Sequence, residues 1–272
     1  MIIDSHVHVW TLQPDRYPWQ PVGGYVPTTE ANVSLLLDAM DLAGVDRAVL
    51  VQPTPYGWNN TYLLDAAREH PERFRVVGLV DPHSSAAPAK LTRLVRDQRA
   101  HGVRLNWNLE PVEVWQDAAM QDELWSCLQA LGIPVCIQMT PDYIDLAHSM
   151  AARYPEVHIV FDHLARPRTG IGASDKEFAR FLQLAEHPNC YAKLSGLNYY
   201  SRQRAPYRDV WPLLQAAVEA FGLQRCMWGS DFPFVLQHWS YADALQVVQG
   251  KLGASQNDLE WILGLTAKSL WW

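Results

Sequence analysis

Several things are scarce or missing in this 272-residue chain, and each closes a class of explanation. Only four cysteines are present, Cys127, Cys136, Cys190 and Cys226, and no two are spaced as C-x-x-C. A disulfide scaffold and a thiol-redox motif are thereby excluded, and three of the four lie in or beside apolar runs, so reduced, buried thiols and a cytoplasmic setting are expected. No apolar run has membrane-spanning length, and the apolar start Met1-Ile2-Ile3 is too short and lacks the basic flank of a signal peptide. Positive charge is not in excess. The formal net charge is −7, which disfavours nucleic acid as a partner. No G-x-G-x-x-G follows the first strand-like run, which weakens a dinucleotide-binding reading, and no G-x-S-x-G offers a serine nucleophile. There is no linker, charge block, constant-length repeat or low-complexity segment, so one domain spanning residues 1–272 is expected.

What is present is alternation. Eight short apolar runs, at 2–9, 48–52, 75–80, 103–106, 133–139, 157–163, 191–195 and 226–231, read as strands. Helical patterns fall between and after them, at 32–43, 61–70, 87–100, 120–131, 143–153, 176–187, 208–221, 240–250 and 256–269. In the first of these, Val33, Leu36, Leu37 and Met40 mark one face. Gly44, Gly102, Gly132 and Gly222 stand where helix C-terminal signals belong. Strand–helix alternation implies parallel strands joined by right-handed crossovers. Eight units in this length imply an α/β fold of the (β/α)8 TIM-barrel type. The stretch 11–29, rich in Pro, Tyr, Trp and Gly, is a long first loop expected over the barrel mouth.

In such a barrel the chemistry gathers at the C-terminal strand ends. There the sequence places polar residues on nearly every strand: His6 and His8, Gln52, Arg104 and Asn106, Gln138, Asp162 and His163, Lys193 and Ser195, and Asp231. Period-two alternation puts Asp4, His6 and His8 on one face of the first strand. Any one of these residues could be a satisfied core polar group. Burying Asp231, Arg104, Lys193 and three histidines together without a ligand is costly, so the set points to a polar active site. The 12 tryptophans add apolar wall material, and Trp19, Trp58, Trp107, Tyr199, Tyr200 and Trp239 are the loop aromatics expected to shape the pocket.

The segments MIIDSHVHVW, VRLNW, FDHLARP, KLSG and WGSDFPF, in this order, resemble the amidohydrolase superfamily, in particular amidohydrolase family 2. RYPW, VLVQPTPYGWNNTYLL and KLSGL are similar to its sugar-lactone and pyrone-dicarboxylate lactonase group. The resemblance implies catalytic roles for Asp231, His163, His6 and His8, with Arg104, Gln138, Lys193 and Gln52 as substrate-binding residues. Arg104 and Lys193, with Arg166 as a further cation, lean toward an anionic substrate in this reading. The sequence departs from the family's metal-dependent decarboxylases at Gln138, where they carry a histidine. It departs from the binuclear members at Arg104, which cannot become a bridging carboxylated lysine. The implication is one divalent ion, zinc by the chemistry of imidazole and carboxylate donors, held by His6, His8 and Asp231 with His163 near. A metal-free version, in which protonated His6 and His8 stabilise the oxyanion, stays open. The expected reaction is hydrolysis of a small lactone, with Asp231 taking a proton from water. A metal-dependent decarboxylase and a non-catalytic small-molecule-binding barrel are the alternatives. The expected partner is a small-molecule substrate, with neither nucleic acid nor membrane, and a homodimer is compatible with the sequence.

Overall fold

The computed structural model describes residues 1–116, 118–252 and 255–272. Eight parallel strands run in the order β1 to β8: β1 Ile3–Val7, β2 Arg47–Val51, β3 Phe74–Leu79, β4 Gly102–Asn106, β5 Val135–Gln138, β6 Ile159–Phe161, β7 Cys190–Leu194 and β8 Cys226–Trp228. The helices between and after them are α1 Val33–Ala43, α2 Thr61–Glu69, α3 Ala87–Arg96, α4 Ala118–Leu131, α5 Ile144–Arg153, α6 Lys176–Gln183, α7 Trp211–Phe221 and α8 Tyr241–Lys251. A closing segment, α9 Gln256–Glu260 and α10 Thr266–Trp271 joined by a π-turn, packs under the barrel. This is the (β/α)8 barrel the alternation implies. Among the described residues no helix is long and apolar enough to cross a membrane.

Local sequence explains the punctuation. Asn32 caps α1, its side chain accepting from the Leu35 amide at 3.0 Å, and Gly44 ends the helix in the left-handed region at φ 70°. Gly102 departs from expectation. It opens β4 rather than closing a helix, because α3 already ends at Arg96 and an added Cβ at 102 would stand 2.9 Å from the Pro134 carbonyl.

The barrel closes just beyond β8. The Asp231 amide donates to the His6 carbonyl at 2.9 Å and the His8 amide donates to the Phe232 carbonyl at 2.7 Å, so the first and last strands meet where the site residues lie. The lower interior is filled by Ile3, Val49, Val51, Val77, Cys136, Val160 and Met227, plugged from below by Trp271. Cys136, Cys190 and Cys226 are buried free thiols, whereas Cys127 is half-buried on α4 against α3, its thiol donating to the Pro88 carbonyl at 3.4 Å.

Two details differ from simple alternation. A register shift between Asp4 and Val7 turns Asp4 away from the histidine face. Its carboxylate accepts from the Ser230 amide at 2.9 Å, the His6 amide at 3.0 Å and the Tyr241 hydroxyl at 2.8 Å, and so ties β1 to the post-β8 loop and to α8. Second, β6 ends at Phe161, and residues 163–166 all have left-handed backbones, φ 54°, 53°, 58° and 52°. Non-glycine residues adopt this region at a cost of about 1–2 kcal/mol each, so the turn is held by its surroundings.

Candidate active site

Four side chains converge above the apolar plug. His6 Nε2 lies 3.2 Å from His8 Nε2, and each is 3.6 Å from Asp231 Oδ1. His163 Nε2 stands 3.9 Å from the same oxygen, and donor atoms of His6, His163 and Asp231 all lie within 4.8 Å of one another. All four residues are at least 96% buried. Each is positioned from behind. The Val51 carbonyl accepts from His8 Nδ1 at 2.7 Å, Ser195 Oγ holds His163 Nδ1 at 2.8 Å, and the Tyr199 hydroxyl donates to Asp231 Oδ2 at 2.6 Å. Asp231 Oδ1 has no hydrogen-bond partner although it is buried.

Close approach here requires glycine. A Cβ on Gly196, itself left-handed at φ 63°, would stand 2.6 Å from His163 Nδ1, and one on Gly229 would stand 2.8 Å from His6 Cβ.

Electrostatics follow from burial. Burial holds the His8 ring at about 3 and drives His6 and His163 well below the usual imidazole range, which favours the neutral form of each. Neutral imidazoles are the form that ligates a metal ion, whereas the metal-free version would need His6 or His8 protonated against this burial. Burial raises the Asp231 carboxyl to about 7, against the pull of Tyr199 and Arg104. Burial alone would also raise Asp162, but Lys193, His6 and Arg104 outweigh it and hold this carboxyl well below its ordinary value.

The donor set fits a divalent ion. Tetrahedral ligands at about 2.0–2.1 Å from zinc stand about 3.3 Å apart. The His6–His8–Asp231 triangle, with edges of 3.2, 3.6 and 3.6 Å, is close to that spacing and offers neutral imidazoles and an unpartnered carboxylate oxygen.

Above this floor opens a cleft of about 800 Å3, its mouth included, bounded by His8, Tyr25, Arg104, Gln138, His163, Tyr199, Asp231 and Phe234. Gly23, Gly24 and Tyr25 bring the first loop over the mouth, where residues 11–29 were expected. Arg104 and Gln138 thus reach the cleft. Gln52 and Lys193 do not. Gln52 is wholly buried, its amide donating to the Gly57 and Asn59 carbonyls at 3.2 and 2.8 Å, so it shapes the loop after β2. Lys193 is also wholly buried, its Nζ 3.0 Å from Asp162 Oδ1 and 3.1 Å from His6 Nδ1, beneath the histidine rather than beside a substrate. Arg104 is anchored through Nε to Asp162 Oδ2 at 2.8 Å, and Arg166 packs over the Tyr199 ring at 4.7 Å.

Of the loop aromatics, Tyr199 enters the site. Trp107 and Tyr200 are core, Trp19 stacks on Tyr56, Trp239 packs edge-on to Tyr207, and Trp58 lines a neighbouring recess. Asp162, which joins Arg104, Lys193 and His6, had only one sequence signal: a carboxylate placed next to His163 at the end of an apolar strand.

A parallel barrel carrying three buried histidines and a buried aspartate at its C-terminal strand ends has the architecture of an enzyme active site, with donor atoms that could hold a metal ion. The chain belongs to the amidohydrolase family, whose model matches residues 3–271. It is 31% identical to an L-fucono-1,5-lactonase of Burkholderia ambifaria, over 85% of this chain and 80% of that one. It is 30% identical to a 2-pyrone-4,6-dicarboxylate hydrolase of Comamonas testosteroni, over 85% and 76%. Among solved structures, an amidohydrolase of Burkholderia multivorans with bound zinc superposes with a TM-score of 0.83 at 26% identity, covering all of this chain and 99% of that one.

Proposed function

We propose that the chain hydrolyses the ring ester of a small lactone, with a sugar-derived or carboxylated acid as product. One observation carries the reading: Asp231 Oδ1, buried and without a hydrogen-bond partner, faces three neutral imidazoles at the floor of an open cleft. The lactonase relatives support the choice of a lactone over other esters and amides.

His6, His8 and Asp231 would hold one divalent ion, zinc by donor type, and the ion when bound supplies carbonyl polarisation and a more acidic water. The remaining work belongs to the chain. Tyr199 occupies Asp231 Oδ2, so Oδ1 is the oxygen left to take a proton from the attacking water. Ser195 fixes His163 through Nδ1 and aims Nε2 into the cleft, where, with the Ser195 hydroxyl donating to Nδ1, the Nε2–H can donate a hydrogen bond to the departing oxygen, which receives the proton that Asp231 took from water. Arg104, tied to Asp162 by Nε, presents its remaining guanidinium edge to substrate oxygens, and Gln138 offers an amide from the next strand. The first loop covers the mouth and limits competing water.

Acid release from a panel of sugar lactones and carboxylated pyrones, followed in a pH-stat with metal analysis, tests this. Turnover of at least one lactone with at most one ion per chain, lost on chelation and restored by Zn2+, is the expected result. Carbon dioxide release from aromatic acids, binding without turnover, or two ions per chain would overturn it.

A further inference from the structure

Hydrogen-bond direction around His6 is set from outside the ring. The Val51 carbonyl can only accept, so His8 Nδ1 carries the proton and its Nε2 is a lone pair. The 3.2 Å contact between the two Nε2 atoms then needs its proton on His6. His6 Nδ1 must therefore be an acceptor, and Lys193 Nζ, 3.1 Å away with three donors, supplies the hydrogen bond. The chain Lys193 to His6 to His8 to Val51 is complete with one proton per link. It also leaves His6 Nε2 protonated, which is the wrong tautomer for a ligand pointing at Asp231.

The alternative arrangement is already built next to it. Asp162 Oδ1 lies 3.2 Å from His6 Nδ1 and 3.0 Å from Lys193 Nζ, yet this oxygen receives no aligned hydrogen bond. We propose that Lys193 and Asp162 are positioning residues that switch the tautomer of His6: Lys193 donates to Nδ1 in the metal-free chain, and on metal entry the proton of Nε2 passes to Nδ1, where Asp162 Oδ1 accepts it. One proton leaves Nε2 and one arrives at Nδ1. Lys193 keeps its contacts to Asp162 Oδ1 and Cys136 Sγ. Arg104, bonded to Asp162 Oδ2 at 2.8 Å, keeps that carboxylate in place in both arrangements.

The inference rests on the metal site proposed above, and the test separates the two. Nitrogen-15 NMR of histidine-labelled protein reads the tautomer directly, with His6→Gln assigning the signal. The expected result is an Nε2–H tautomer at His6 without metal and an Nδ1–H tautomer after one equivalent of Zn2+. Binding assayed against a chromophoric chelator should then split by variant. Asp162→Asn should weaken Zn2+ by about tenfold to a hundredfold, the range for lost outer partners of metal-bound histidine. Lys193→Met, which removes the hydrogen bond holding the wrong tautomer and leaves Asp162 paired with Arg104, should bind Zn2+ at least as tightly as the parent. A purely structural role would weaken both alike, and that result overturns the proposal. So does an Nδ1–H tautomer in the metal-free parent, a measurement that needs no variant to fold. A parent that binds no Zn2+ refutes the metal reading itself, and is distinguished by unchanged histidine signals throughout the titration.

Discussion

Gly196→Ala adds one methyl group, and the structure says where it goes. The new Cβ would lie 2.6 Å from His163 Nδ1 and 2.7 Å from Tyr199 Cδ2. Ordinary contact needs about 3.5–4.0 Å, so both rings must retreat by about 1 Å. His163 would lose its 2.8 Å bond to Ser195, and Tyr199 would lose its 2.6 Å bond to Asp231. A displacement of that size at reacting groups costs about a hundredfold in rate. The left-handed backbone at φ 63° adds about 1–2 kcal/mol of stability loss for alanine, or roughly 3–8 °C in Tm for a chain of this size. Gly44→Ala is the control. Its backbone is left-handed too, φ 70°, but nothing lies within 4 Å of the added carbon. Both variants should melt earlier than the parent, and only Gly196→Ala should lose kcat/KM on a lactone that the parent hydrolyses. If Gly196→Ala keeps kcat/KM within threefold, or if Gly44→Ala loses as much, the crowding argument is wrong.

Tyr199→Phe removes a hydroxyl that donates to a buried carboxylate, a bond worth about 1.5–3 kcal/mol, so the melting temperature should fall by roughly 3–12 °C and kcat/KM on a lactone that the parent hydrolyses should fall with it. Asp231→Asn should keep the circular dichroism spectrum and lower turnover by about two to four orders of magnitude; hydrolysis within tenfold of the parent would remove Asp231 from the role of base. His101 supplies a pH test away from the site. Its Nδ1 accepts from the Val76 amide at 3.3 Å, and burial, with Arg75 adding to it, lowers the ring to about 4. The folded value lies below the unfolded one near 6.5, so the unfolded chain binds the extra proton, and the stability His101 contributes is present above pH 6.5 and is lost as pH falls through 4. With partial solvent screening that is about 1–2 kcal/mol, and His101→Asn, which keeps an acceptor at the same place, should flatten the acid limb of a urea-denaturation series; superimposable limbs would count against it.

The barrel and the convergence of His6, His8, His163 and Asp231 were legible because apolar strands ending in polar residues leave few other arrangements. Strand period gives the side of the sheet but not the height along the barrel axis. Lys193 and Arg104 both point inward and both pair in register with a residue of the apolar plug, Met227 and Cys136, yet Lys193 ends beneath His6 while Arg104 reaches the cleft. The misplacement of Asp4 has a different cause: a one-residue shift in β1 reverses the alternation on which that reading stood. Gln52 looked like a strand-end ligand because its amide is as good for a carbonyl of its own chain as for a substrate. Asp162 and Tyr199 were named from the sequence as a strand-end carboxylate and a pocket aromatic, but their particular roles depend on partners across the barrel, at Lys193, Arg104 and Asp231, which no local pattern announces.

The left-handed turn at 163–166 sets stability against chemistry at a single residue. His163 occupies a backbone conformation in which glycine would rest without strain, so under the proposed function the imidazole is kept there at a cost in stability. Exchanging it for glycine would relax the turn and remove the hydrogen-bond donor on which the proposed reaction draws. A descendant released from its reaction should therefore decay first at this turn, drifting toward small, flexible residues while the strands stay intact. A relative that keeps its barrel but carries glycine at this place would have gained robustness by giving up its trade.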